Sequence, residues 1–456
     1  MFQKYLWDER LPEYDGELLM DVHATGCYTS KVEMKMLNRR NERMLGAAEG
    51  ISSIVDWMGG TSYPAYTIDE GWKRVLWHQF HDDLTGTSIP EAYLFSYNDE
   101  YITLNQSANI IKAGMESVAS VMNTAVKGTP VLVFNHVTAT NNGIASIEAE
   151  LPEGCRSFEV FGPDGRKIKS QIIAREGSKA TVLFAGNDPS MGISVYELRP
   201  SRKAEAASTS LKAGGNSIEN RIYKLTVNAD GDICSIIDKR YGKELVRQGE
   251  AFGYVFFPNN VSVAWPAWEI LKNVIDSEPE KVSNEVRISV EECGSLRAVL
   301  KVEKKHAGST FVQRIILTDG ACDERIDIVN DVDWNSRTAL LKASFPVAFD
   351  APEATYDLGM GHISRGVNTK TAYEVYAQQW ADMTATDDSY GVTIMNDGRY
   401  GWDKPDGHTL RLTLLHTPST GIEWTEQQTQ DFGRHTFTYS IVGHKGALDP
   451  AAADII

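Results

Sequence analysis

The residues of this 456-residue chain most able to do chemistry are an adjacent histidine and aspartate, His81 and Asp82. A neutral imidazole beside a carboxylate suits a divalent metal ion. The same pair could equally be a polar helix end, because a histidine is favoured at the negative end of the helix dipole. Two residues leave both readings open, since a catalytic zinc normally uses about three protein ligands. His78 stands one turn earlier on roughly the same face. It could be a further ligand, although a supporting hydrogen bond or plain surface exposure explains it more simply.

The flanking sequence predicts how the pair is positioned. Thr67 and Glu70 form a Thr-x-x-Glu capping box, Trp72, Val75, Leu76 and Phe80 give an apolar face, and Gly86 marks a stop, so a helix is expected to run into His81 and Asp82. Ser88 and Glu91 repeat the capping pattern with Pro90 in the first turn, which starts the next helix at once. Ser30 and Glu33 open an earlier helix in the same way. Its face of Leu37, Met44, Ala48, Ile51, Val55 and Met58 runs to Gly59-Gly60. After Pro90, Leu94, Tyr97, Tyr101, Leu104, Ala108, Ile111, Met115, Val118 and Met122 step by three and four, as in a coiled-coil seam. Core packing accounts for these stripes without any ligand.

Beyond Gly128 the period changes to two, as in Ile144–Leu151 and Ile222–Val227, with turns at Gly162-Pro163-Asp164-Gly165 and Asp230-Gly231. The expected fold class is therefore α+β: a three-helix bundle over 30–127, then antiparallel β-sandwiches over 128–200 and 217–456. Residues 1–29 form a connecting segment, and the polar, alanine- and serine-rich stretch 201–216 reads as a linker.

Composition narrows the function. A net charge of −17 argues against nucleic acid or an anionic membrane as partner. No apolar run approaches the roughly eighteen residues of a membrane span, and no signal-like start is visible, which leaves the compartment open between cytoplasm and periplasm. Five scattered cysteines, Cys27, Cys155, Cys234, Cys293 and Cys322, form neither a zinc knuckle nor a disulfide framework.

The stretch from Trp72 to Tyr93, with an aromatic, His81, Asp82 and then Gly86-Thr87, resembles the motif of glycoside hydrolase family 38, the alpha-mannosidases. Leu11–Leu18, His23, Tyr28-Thr29-Ser30 and Leu37–Glu42 are similar to the family's approach to its helical domain. Gln379–Met383, Tyr390-Gly391-Val392, Asn396–Gly401 and Leu410–Leu415 resemble the late β region of its bacterial branch. The resemblance implies a retaining, zinc-dependent alpha-mannosidase acting on mannose-containing glycans. In it His81 binds the metal, and Asp82 orients sugar hydroxyls or supports the metal shell. His23, Asn396, Asp397, Tyr400 and His416 are implied substrate contacts. For Asn396–Asp403 a hairpin turn is an equally good reading.

The family places a catalytic barrel, with a His-x-Asp metal pair and an aspartate nucleophile, before the segment beginning at Leu11. Met1–Arg10 holds Asp8 and Glu9 but no such motif. The chain is thus expected to be a fragment or split subunit, inactive without its barrel, and the residues after Asp449 suggest a truncated sandwich. A homo-oligomer is a further expected partner state. The alternative function is a non-catalytic protein that binds carbohydrate or another protein through the same domains.

Overall fold

The computed structural model describes residues 13–450 apart from 15, 20, 204–208 and 321. Met1–Pro12 with Asp8 and Glu9, Asp15, part of the alanine- and serine-rich stretch, and the tail from 451 lie outside the described residues.

Three helices, α1 (Val32–Trp57), α2 (Ala65–His78) and α3 (Pro90–Val121), pack on one another. Small residues allow close approach: a Cβ on Gly71 would collide with Leu45 across α1 and α2, and one on Gly114 with Ile51 across α1 and α3. The apolar face expected on α1 is buried at Leu37, Ala48, Ile51 and Val55, whereas Met58 is exposed. Lower down, Ile51, Val55 and Val118 form a core with Ile111, Met115 and Met122, which rests on Leu132, Phe134 and Ile193 of the first strands.

Two expectations for these helices fail, the caps at their starts and the apolar seam along α3. None of the three expected capping boxes forms, because α1 begins at Val32, α2 at Ala65 and α3 at Pro90, and none has a capping side chain of its own. The first free amide of α1, Val32 N–H, instead donates to Asp431 Oδ1 at 2.9 Å, a cap delivered from the distant sandwich. Ser30 Oγ turns outward to Ala267 O at 2.5 Å. The seam expected on α3 is also displaced. Leu94 and Tyr101 are exposed, and the buried row is Tyr93, Ser96, Glu100, Thr103 and Ser107; Glu100 accepts from Asn41 Nδ2 of α1, Ser96 Oγ donates to Asp83 beyond α2, and Thr103 Oγ1 donates to Asp99 O of its own helix.

Every strand pairing described beyond α3 is antiparallel. A four-stranded sheet containing Thr129–Asn135 and Gly192–Ser201 faces a three-stranded one containing Ile144–Glu150 and Lys179–Ala185 over Phe158, Val182, Phe184 and Tyr196. A short strand, Lys212–Gly214, lies within the stretch read as a linker and pairs with Ser217–Glu219. It begins a five-stranded sheet. Sheets of six and nine strands follow and share one large core through Trp334, Trp402, Leu412 and Tyr439. The mixed helix and antiparallel-sheet class is α+β, as expected.

Candidate functional site

Helix α2 stops at His78, three residues before the expected end. Gln79 fixes its last turn by donating from Nε2 to Asn38 Oδ1 (3.0 Å) and Glu42 Oε1 (3.2 Å) on α1. The chain then folds back, with Asp83 N and Leu84 N donating to Phe80 O. His81 and Asp82 therefore ride on a turn between helices. The turn is held from inside: Lys35 Nζ donates to Leu84 O (2.9 Å) and Ser30 O (2.5 Å), while Thr85 Oγ1 donates to His81 O (2.5 Å). Burial lowers the Lys35 ammonium to about 8. Gly86 has φ +87° and sits against Ser30 O, so both its backbone and its missing side chain are required there.

The His81 side chain is 72% exposed, with Nε2 3.2 Å from Asp82 Oδ2. Its ring lies 4.1 Å from that of Phe80. Asp82 Oδ1 accepts from Thr87 Oγ1 at 3.2 Å, so the carboxylate is oriented by its own turn. The pair points outward. His78 does the opposite. It is buried, with Nδ1 2.6 Å from Asp83 Oδ2 and Nε2 3.3 Å from Asp99 Oδ2. Carboxylates on both nitrogens favour the doubly protonated ring. Burial pushes the His78 pKa down, but Asp83, Asp99 and Glu100 outweigh it, and the net shift is upward. Surface exposure is thus the wrong reading for His78. Asp83, absent from the candidates, is its partner, and Ser96 Oγ donates to that carboxylate at 2.8 Å.

A second group of residues reaches the same turn through Ser30. Ser30 Oγ donates to Ala267 O and accepts from Gln430 Nε2 (3.2 Å), which also donates to His416 O (2.9 Å). His416 is fully buried. Its Nδ1 accepts from Asn260 Nδ2 (2.8 Å) and its Nε2–H donates to Pro266 O (3.1 Å), which fixes the neutral tautomer; burial lowers its pKa to about 4. It therefore supports the Trp265–Trp268 segment and has no exposed surface for substrate. His23 stacks on Trp268 at 5.0 Å and meets Trp265 edge-on at 6.3 Å. Trp265 in turn faces Trp424 at 5.6 Å. These tryptophans were missed, although Trp265-Pro266-Ala267-Trp268 is a visible aromatic pattern.

Asn396, Asp397 and Tyr400 pack along α1. Asn396 Oδ1 accepts from the amides of Gly398 and Arg399, which is the turn-forming role. Asp397 Oδ2 accepts from Thr438 N at 3.0 Å, and burial raises its pKa against the pull of Arg399, Arg43 and Arg40. Asn396, Asp397 and Arg43 border a cleft of about 450 Å³ with Gln379, Trp380 and Asp327. The Arg39 guanidinium lies over the Tyr400 ring at 5.6 Å. No contact joins this group to His81 among the described residues.

Among the described residues no three His, Cys, Asp or Glu side chains converge on a metal position. His81 and Asp82 alone offer one nitrogen and one carboxylate, both of the types zinc accepts. They fit an incomplete part of a shell.

The helical segment followed by antiparallel sandwiches superposes on solved proteins of one family. An alpha-mannosidase from Enterococcus faecalis V583 superposes with a TM-score of 0.81 at 16% identity, over 99% of this chain and 60% of its own. A glycosyl hydrolase family 38 protein from Enterococcus faecalis gives 0.81 at 17% identity, over 100% and 61%. The alpha mannosidase middle domain matches residues 22–118, and the glycosyl hydrolases family 38 C-terminal domain matches residues 218–421. The chain belongs to glycosyl hydrolase family 38. Curated relatives include Alpha-mannosidase G of Dictyostelium discoideum, 27% identical over 97% of this chain and 42% of that protein. Alpha-mannosidase 2C1 of Mus musculus is 24% identical over 96% of this chain and 39% of that protein. The chain thus spans about two-fifths of the length of these relatives.

Proposed function

We propose that the chain forms the sugar-gripping and partial metal-binding portion of a retaining, zinc-dependent alpha-mannosidase acting on mannose-containing glycans. One observation carries the reading. The His81–Asp82 turn and the aromatic Trp265–Trp268 segment, with His23 stacked on it, are fastened to the same residue, Ser30. Two chain regions bearing sugar- or metal-binding groups are thereby held in fixed relation. In this reading α1–α3 form one three-helix bundle.

Zinc, when bound, supplies a positive charge that grips sugar hydroxyls and steadies charge at the reacting carbon. His81 offers its imidazole from a turn that Lys35 and Thr85 keep rigid. Asp82 orients either that ring or a hydroxyl of the sugar. The remaining ligands, and the two carboxylates about 5 Å apart that retaining hydrolysis needs, belong in this reading to the barrel portion of the complete enzyme. Leu76, Trp77 and Phe80, large exposed apolar residues beside His81, support a docked partner there. The isolated chain is accordingly inactive on an aryl alpha-mannoside.

The test is made in the complete enzyme, with this chain joined to its barrel. His81→Ala should lose zinc, measured by elemental analysis, and most of the activity. Asp82→Asn should lower turnover while retaining part of the metal, since an amide still accepts a hydrogen bond without carrying charge. Full zinc and full activity in His81→Ala would refute the assignment and leave His81 a polar residue of the turn.

A further inference from the structure

We propose that Trp265 and Trp424 form a stacking site for a pyranose ring, a carbohydrate subsite built by two loops and separate from His81. The inference rests on the mannosidase reading for the kind of sugar. The site itself rests on geometry.

The two indoles lie 5.6 Å apart at 39° and border a cavity of about 310 Å³, at the small end of ligand pockets. Trp265 is 43% exposed, although large aromatic faces are usually covered. His23 meets it edge-on and is itself stacked on Trp268.

The loop carrying Trp265 is held ready. Glu269 is buried, and its Oε2 accepts from Ser262 Oγ (2.6 Å), Val263 N (2.8 Å) and Ala264 N (3.2 Å), pinning residues 262–264. Such fixation lowers the entropic cost of binding. The other indole is held at a conformational cost. Trp424 has φ 56° and ψ 34°, the left-handed region that bulky residues seldom adopt, and strain of this kind gathers at ligand clamps.

The lining also selects the chemistry. Among the described residues no lysine or arginine lines the cavity, which disfavours phosphate and carboxylate ligands. A pyranose presents C–H groups on one face, and their positive edge matches the negative face of an indole. Its hydroxyls then reach the polar rim of Ser262, Thr420 and Glu423.

The full chain is titrated with a linear α-mannotriose, and binding is read by calorimetry and by saturation transfer to the sugar protons. Saturation is expected to concentrate on one face of one ring. Trp265→Ala and Trp424→Gly should each weaken binding about tenfold, the upper range of one aromatic contact. Glycine is chosen at 424 because it accepts the left-handed backbone, so the variant loses the ring without losing the fold. Leu94→Ala, at an exposed position of α3, should bind mannotriose like the parent. Unchanged affinity in both tryptophan variants, or a response to choline with none to mannotriose, would overturn the subsite. Loss of zinc and activity in His81→Ala of the complete enzyme tests the mannosidase assignment separately.

Discussion

Removing the imidazole of His78 should cost the helical region about 3 kcal/mol. The figure follows from what remains. Unpairing a buried ion pair typically costs about 3–5 kcal/mol. Asp83 keeps the Ser96 hydroxyl at 2.8 Å after His78→Ala, which places the cost at the low end. Asp99, whose side chain is 39% exposed, adds little. Amide exchange in α2 and α3, followed by mass spectrometry, should then accelerate about 100-fold at neutral pH, one decade per about 1.4 kcal/mol. The sign with pH is also set. The folded-state pKa of His78 is raised, so its contribution is complete below the ordinary imidazole value of about 6.5 and is lost as pH rises through the folded value. The gap between parent and variant should therefore be widest near pH 5.5 and narrow in alkali. Adding Asp83→Asn should recover part of the loss, because no uncompensated charge is left. A gap below about 0.5 kcal/mol, near the size of an ordinary surface substitution, or the same at pH 5.5 and 9, would refute the charged-pair account.

Asp431→Ala removes the acceptor for Val32 N–H and should cost about 1–2 kcal/mol, seen as faster exchange in the first turn of α1 while the sandwich core is unaffected. Lys342 is fully buried and donates to Glu374 and Asp403; Lys342→Met should destabilise the large sandwich by about 3–5 kcal/mol in denaturant melts followed by tryptophan fluorescence, and adding Glu374→Gln should restore part of it. His416 should stay neutral from pH 8 to 5 in its imidazole NMR signals. Because its folded pKa is depressed to about 4, its contribution is present above about 6.5 and lost as pH falls towards 4, so His416→Gln should reduce acid sensitivity.

The parts of this molecule written in local spacing were legible from sequence, and the parts set by distant partners were not. Leu37, Ala48, Ile51 and Val55 mark the buried face of α1 because apolar residues at helical spacing have one place to go. Along the first half of α3 the same logic chose the wrong stripe. Glu100 is buried there because Asn41 of α1 donates to it, and desolvation raises its pKa to about 7. No periodicity announces such a pair. The capping box expected at the start of α1 failed likewise, since Asp431 had taken the role of a local cap at Val32. At the candidate site, His81 and Asp82 stood out as neighbours in sequence. The burial of His78 depended on Asp83 after a turn whose path local patterns misjudged. Trp265 and Trp424 meet only after the six-stranded sheet has brought the strands Gly253–Phe257 and Thr409–Thr417 that precede them together.

The cap on α1 has a consequence for synthesis. Its donor and acceptor are 399 residues apart, and a ribosome adding about 5–20 residues per second needs roughly 20–80 seconds to travel from one to the other. During that interval Val32 has emerged while Asp431 does not yet exist. The start of α1 must remain solvated or frayed in the nascent chain. The Ser30 hub that fastens the His81 turn also draws on Ala267 and Gln430. The helices can gather early, but the turn bearing His81 acquires its full set of anchors only when the last strands of the sandwich have been made.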